Sequence, residues 1–88
     1  MNEVQMMAED EERRVKLASL ADCKQQGEKA YDDMYEAHSF RDSDVCYSNA
    51  KEFFYDAIRL AGELGLADEA DALSRRLLHI KEVFRSQF

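Results

Sequence analysis

The chain of 88 residues contains no proline, no tryptophan and only three glycines. Proline and glycine most often interrupt helices and form turns, so their scarcity favours long helices over a fold with many turns. No apolar run approaches the roughly 18 residues that a membrane-spanning helix needs. The sequence MNEVQMMAEDEERR has no apolar stretch before its acidic run, so we expect no membrane partner, no secretion signal and a cytoplasmic location.

Basic residues are also scarce, since 12 Lys and Arg stand against 19 Asp and Glu and give a formal net charge of −7. Binding to nucleic-acid phosphates requires a basic stripe, so we expect no nucleic-acid partner. The apolar share of 45% is enough for one hydrophobic core. The sequence therefore predicts a single domain over residues 1–88.

The apolar residues recur at alternating spacings of three and four, which is the period of a helix packed on one side. In the first segment they are Leu20, Cys23, Gly27, Ala30, Met34 and Ala37. Breaks in this pattern at residues 39–43 and at Gly65 predict an all-α, antiparallel three-helix bundle with a long first helix, over about 8–38, 43–64 and 68–86. The apolar pattern fades near the start, so residues 1–16 are predicted to overhang as an N-terminal extension.

The second predicted helix has two adjacent apolar stripes, so we expect it to lie between the other two helices. Ser43 is the predicted N-cap. Gly65 is the predicted left-handed C-terminal cap, with Leu66 folding back onto Ala61. The antiparallel register predicts that Gly27 faces Phe54, that Tyr31 faces Ala50 and that Leu20 faces Ala61.

One set of spacings resembles a known repeat family. Ala50, Phe54 and Ala57 have the spacing of the second helix of a tetratricopeptide repeat, and Gly27-x2-Ala30-Tyr31 is similar to that repeat's first-helix motif. The stretch 64–70 is similar to the junction between two such repeats. The resemblance covers about half of the chain, without the usual tryptophan and closing proline. It implies an α-hairpin packing mode and a peptide-binding role.

The candidate thiol chemistry involves Cys23 and Cys46. In the predicted hairpin they lie about 18 Å apart along the helix axis, too far for a disulfide, and both fall on apolar stripes. Cys46 lies in the first turn of its helix with His38 across the loop, which would allow a thiolate–imidazole pair. Asp42 and Asp44 oppose such a thiolate, and we expect no catalytic residue.

A metal site would use the side chains that cluster before the first loop: Asp32, Asp33, Glu36 and His38. The Glu-x-x-His element of carboxylate-bridged bundles is absent, and His79 is predicted to lie about 15 Å from His38. A solvated acidic face paired with Lys29 and Arg41 explains the cluster better. We therefore expect no metal and no cofactor.

The remaining features suggest contacts with other proteins. The third helix carries a basic cluster that suits either its C-terminal dipole or an acidic peptide: Arg75, Arg76, His79, Lys81 and Arg85. Apolar residues without an expected partner in the bundle are Val4, Met6, Met7, Leu78, Val83 and Phe88. The sequence thus favours a non-catalytic protein–protein interaction or self-association module, such as a homodimer. The alternatives are a small metal-carboxylate or thiol enzyme site near the first loop, and an acidic adaptor subunit of a larger complex.

Overall fold

The computed structural model describes the backbone of residues 3–88 and the side chains of residues 8–88. It contains three α-helices: α1 (Glu3–Glu36), α2 (Phe40–Glu63) and α3 (Ala67–Gln87). No strand occurs in the described chain, which confirms the all-α three-helix fold. The largest difference from the predicted bounds is at α1, which begins at residue 3 instead of about 8. None of the helices in the described range has the length and apolar character needed to cross a membrane.

The central helix of the bundle is α2, because it is the main packing neighbour of both α1 and α3. Its buried face is built from small and large apolar residues in turn, with Ala50, Phe54, Ala57 and Ala61 at most 1% exposed. Met34 of α1 and Ile80 of α3 are fully buried on either side of it. The broad apolar face predicted for the second helix is therefore explained by its two neighbours.

The closest approach between α1 and α2 occurs at Gly27. A Cβ atom added there would lie 2.8 Å from Cε2 and 2.9 Å from Cδ2 of Phe54. Glycine thus makes room for the buried aromatic ring, and the predicted pairing of Gly27 with Phe54 is confirmed. This contact fixes the register of the hairpin, since sliding either helix by one turn would place a Cβ against the ring.

The start of α2 differs from the prediction, because Ser39 and not Ser43 is the N-cap. Ser39 has extended backbone angles (φ −143°, ψ 160°), and its hydroxyl accepts a hydrogen bond from the Asp42 N–H at 3.1 Å. Ser43 is 3% exposed and donates its hydroxyl to the Ser39 carbonyl at 3.1 Å. Both serines are good capping residues, and the earlier one forms the cap because the chain leaves α1 at Glu36.

The turn between α2 and α3 is a Schellman motif centred on Gly65, which has φ 73°. The Leu66 N–H donates to the Ala61 carbonyl at 2.9 Å, and the Gly65 N–H donates to the Gly62 carbonyl at 3.1 Å. These two bonds satisfy carbonyls that the helix end would leave unpaired. The predicted cap at Gly65 and the return of Leu66 towards Ala61 are confirmed.

Candidate protein-interaction surface

The side of α3 that faces α1 is closed by charged side chains. The Arg76 guanidinium donates to both carboxylate oxygens of Glu28, at 2.8 and 2.7 Å, and lies 5.0 Å from the centre of the Tyr31 ring. One to two turns earlier, the Lys24 ammonium donates to the Glu69 carboxylate. These contacts join two helices that run in the same direction on either side of α2.

Aromatic rings close the end of the bundle near the first loop. Phe84 stacks on Tyr47 at 3.9 Å and on Phe88 at 5.7 Å, and Phe88 also meets Tyr35 edge-on at 5.7 Å, measured between ring centres. Phe88 is partly buried against the core, and so is Val83. The structure therefore places both of these expected interaction residues against the chain's own helices.

The other side of α3, away from α1, carries an apolar groove of about 410 Å³ between α2 and α3. Its lining residues are Tyr55, Ile58, Ser74, Leu77, Leu78 and Lys81. Leu77 is 4% exposed and forms the floor, whereas Leu78 and Tyr55 are 55% and 51% exposed and form the two walls. Of the residues that were expected to make contacts, Leu78 is the one that borders this groove.

The polar wall of the groove is ordered by a contact between Lys81 and Tyr55. The Lys81 ammonium donates to the Tyr55 hydroxyl at 2.6 Å and lies 5.0 Å from the ring centre. This contact places the Lys81 ammonium at the rim of the groove, against the Tyr55 side chain. The groove thus combines an apolar floor with a hydrogen-bonding and positively charged edge, a combination that is common in protein interfaces.

Beyond the α2 side of the groove, one turn after Ile58, α2 has an exposed glycine, Gly62. A Cβ atom added at Gly62 would have nothing within 4 Å. Within a helix a glycine costs roughly 0.5–1 kcal/mol relative to alanine. No contact inside the described chain uses the space that Gly62 leaves.

The basic cluster of α3 is divided between its two sides. Arg76 points to α1 and Lys81 to Tyr55, while Arg75, His79 and Arg85 are exposed. Within residues 8–88, no carboxylate lies within 4.0 Å of the cationic nitrogens of Arg75, Lys81 or Arg85. Among the described side chains, α3 therefore carries exposed cations without a carboxylate partner, although the chain has a net charge of −7.

The N-terminal part of α1 extends past the end of α2. The Arg13 guanidinium donates to the Leu64 carbonyl at 3.2 Å, and the Lys16 ammonium lies 3.7 Å from the Glu63 carboxylate. Val15, on the opposite face, is 59% exposed. The side chains of Val4, Met6 and Met7, which were also expected to make contacts, lie outside the described residues.

The two cysteines considered for thiol chemistry lie on different helices, Cys23 on α1 and Cys46 on α2. No hydrogen bond joins His38 to Cys46, and both cysteines are free and partly exposed. Burial raises the pKa of the Cys23 thiol, with smaller contributions in the same direction from Asp56 and Asp22. A raised pKa keeps this thiol protonated and weakly nucleophilic at neutral pH.

The candidate metal residues do not form a ligand set. Asp33 binds the Lys29 ammonium at 3.4 Å, as the solvated-face explanation predicts. Among residues 8–88, no three side chains of His, Cys, Asp or Glu are grouped so that they could hold one ion. The acidic residues around the first loop thus have the contacts of an ordinary solvated surface.

Comparison with protein-family models, with curated proteins and with solved structures finds no significant match to this chain.

Periodicity alone did not reveal the groove. Tyr55 lies just outside the apolar stripes of α2, and Ser74 and Lys81 lie outside the stripe of α3. Tyr55 and Ser74 were therefore not predicted, and Lys81 was predicted only as a member of the basic cluster. What the three residues share is their position: each lies next to the buried stripe of its helix, on the side away from α1. That position becomes visible only when the relative rotation of α2 and α3 is known.

Proposed function

We propose that this protein is a non-catalytic protein–protein interaction module that binds its partner in the groove between α2 and α3. The observation that carries the proposal is the exposed apolar pair Leu78 and Tyr55 above a floor of buried Leu77. Large exposed apolar side chains that line one concavity mark interaction sites more often than scattered ones do.

The chemistry of the groove supports a protein partner better than a small substrate. The groove is shallow and mostly apolar, and its polar groups are one lysine, one tyrosine hydroxyl and one serine hydroxyl. The Ser74 hydroxyl donates to the Ala70 carbonyl at 2.9 Å, so it is already paired. This arrangement offers no nucleophile with a neighbouring base, but it suits a helix that buries an apolar stripe.

The bare backbone at Gly62 also supports helix docking. A residue without a side chain beside an apolar groove lets a second backbone approach closely. The peptide-binding role implied by the resemblance to tetratricopeptide repeats is of the same kind, and it identifies no partner.

Site-specific photo-crosslinking in cells that express the chain tests this proposal. A photoreactive amino acid in place of Leu78 should give a discrete adduct, because the partner covers that position. The same amino acid in place of Ala72, which is exposed on the solvent side of α3, is the matched control and should give none. A Tyr55→Ala change should weaken the adduct from position 78. If position 78 gives no adduct, or the same adducts as position 72, the proposal is wrong.

A further inference from the structure

The outward face of α1 carries an acidic stripe with small apolar residues between the carboxylates. Glu11, Val15, Ala18 and Asp22 follow one another at spacings of four, three and four, so they lie on one face of the helix. All four are exposed, and Val15 is 59% exposed. Neither Glu11 nor Asp22 has a cationic nitrogen within 4.0 Å in the side chains that the structure describes.

The exposed face of α3 next to the groove carries the opposite pattern. Arg75, Leu78 and Arg85 follow at spacings of three and seven, so an exposed apolar residue lies between two cations. The two arginines are separated by about 15 Å along the helix, and the two carboxylates of the α1 stripe by about 16.5 Å. Helices that lie side by side in parallel would therefore bring both oppositely charged pairs level with each other.

We infer that the groove between α2 and α3 receives the outward face of α1 from a second copy of this chain. In parallel alignment Glu11 lies level with Arg75, Val15 with Leu78 and Asp22 with Arg85, at sequence offsets of 64, 63 and 63. An offset of 63, within one residue, thus allows two ion pairs and one apolar contact. Small residues on the docking helix allow it to sit between the Tyr55 and Leu78 walls.

The same register avoids repulsion between like charges. The acidic residues of α3 that share this face are Asp71 and Glu82, and the offset of 63 places them level with Ala8 and Ser19. A carboxylate therefore meets a methyl group or a hydroxyl and not another carboxylate. Avoidance of like-charge contacts specifies a register as effectively as attraction does.

This inference rests on the proposed function and identifies its partner. The two surfaces, α1 on one edge and the α2–α3 groove on the other, are different parts of the chain, so the contact joins unlike surfaces. Such head-to-tail contacts build rings or open chains and do not limit themselves to two copies. The mass in solution should therefore rise with concentration in steps of 10.2 kDa.

Charge reversal on each surface provides the test, read by analytical ultracentrifugation. One variant carries Arg75→Glu and Arg85→Glu, and a second carries Glu11→Arg and Asp22→Arg. The formal net charges become −11 and −3, because two reversals shift the value of −7 by four units down or up. Both variants stay acidic, so mixing them introduces no general attraction between oppositely charged proteins.

The expected result is loss of association in each variant alone and its return in the equimolar mixture. In each variant like charges meet across the contact, which should weaken it by about 100-fold or more. In the mixture, the acidic α1 of the first variant fits the basic groove of the second, and the reversed α1 of the second fits the reversed groove of the first. Restoration also shows that both variants are folded. Wild-type association should weaken as salt is added.

A matched control uses Glu36→Arg with Asp44→Arg, two exposed carboxylates near the first loop. This variant should associate as the wild type does, and it should not restore association to the groove variant. The inference is overturned if wild-type chain keeps a mass of 10.2 kDa up to about 1 mM, where even weak contacts form, or if the reversed pair fails to associate on mixing. A crosslinked adduct from position 78 that contains a different protein, with monomeric wild type, would overturn the second copy as partner and leave the proposed function standing.

Discussion

The two sides of α3 differ although the same helix supplies both. The side towards α1 is closed by the Arg76–Glu28 and Lys24–Glu69 pairs, whereas the side away from α1 has an open apolar groove and arginines without a carboxylate partner among the described side chains. The charged side chains that face α1 form ion pairs within the chain. The arginines on the other side are exposed, where the proposed partner would contact them. Substitutions at neighbouring positions of α3 can therefore separate folding from binding.

The largest contrast is expected between the adjacent residues Leu77 and Leu78. Leu77→Ala should lower the free energy of unfolding by about 2–4 kcal/mol, because it opens a cavity under the groove. Leu78→Ala should change it by less than about 0.5 kcal/mol, since that side chain is 55% exposed. Urea denaturation monitored by circular dichroism measures both. Equal losses at the two positions would show that Leu78 is part of the core.

Alkaline titration tests the side of α3 that faces α1. Burial, with the Tyr35 hydroxyl 2.9 Å away, raises the pKa of Tyr31 from 10.0 to about 12. The folded state then keeps a proton that the unfolded state loses, so this contribution to stability is present below pH 10 and is lost as the pH rises towards 12. The loss should be on the order of 2 kcal/mol. Ultraviolet absorbance of tyrosinate gives the titration directly, and Tyr31→Phe should flatten the stability profile between pH 10 and 12.

Gly27→Ala should destabilise the hairpin by about 1–2 kcal/mol. The added methyl group must displace the Phe54 ring, which costs roughly 1–3 kcal/mol, and the higher helix propensity of alanine returns up to about 1 kcal/mol. A double-mutant cycle with Phe54→Leu should show coupling, because the smaller side chain frees the space. Additive effects would contradict the close approach seen here.

Arg76→Met should lower the free energy of unfolding by about 1 kcal/mol, because it removes a partly exposed bidentate pair with Glu28. The matched change Arg75→Met should have almost no effect on folding, since no partner within the described chain is lost. The same Arg75→Met change should nevertheless weaken self-association. Thermal denaturation measures the effect of each variant on folding, and ultracentrifugation measures its effect on self-association. Together they test whether Arg76 contributes to folding and Arg75 to association.

At Gly62 the expected effect on folding is small and, unlike those above, favourable. Gly62→Ala should raise the free energy of unfolding by about 0.5–1 kcal/mol, since the methyl group meets nothing within 4 Å. If a second backbone approaches at this point, the same change should weaken docking. A variant that is more stable and also binds as well as the wild type would mean that the partner does not come close to Gly62.

Features set by local sequence were predicted well. The spacing of apolar residues predicted three helices, the antiparallel register about the first turn predicted Gly27 against Phe54, and the left-handed preference of glycine predicted the cap at Gly65. The N-cap was predicted wrongly, because Ser39 and Ser43 are equally suitable by residue type and the choice depends on where α1 ends. The groove was not predicted, since it depends on how α3 is rotated against α2, a quantity that no single helix encodes.

The middle position of α2 has a consequence for how the chain folds. Each main packing contact joins helices that are neighbours in the sequence. Little of the chain must therefore be ordered before such a contact can form. Helical bundles with contacts of this kind fold within microseconds to milliseconds. The hairpin of α1 and α2 holds Gly27 against Phe54 without help from α3. We therefore expect amide hydrogens of α3 to exchange earlier than those in the middle of α2, as a separately opening unit.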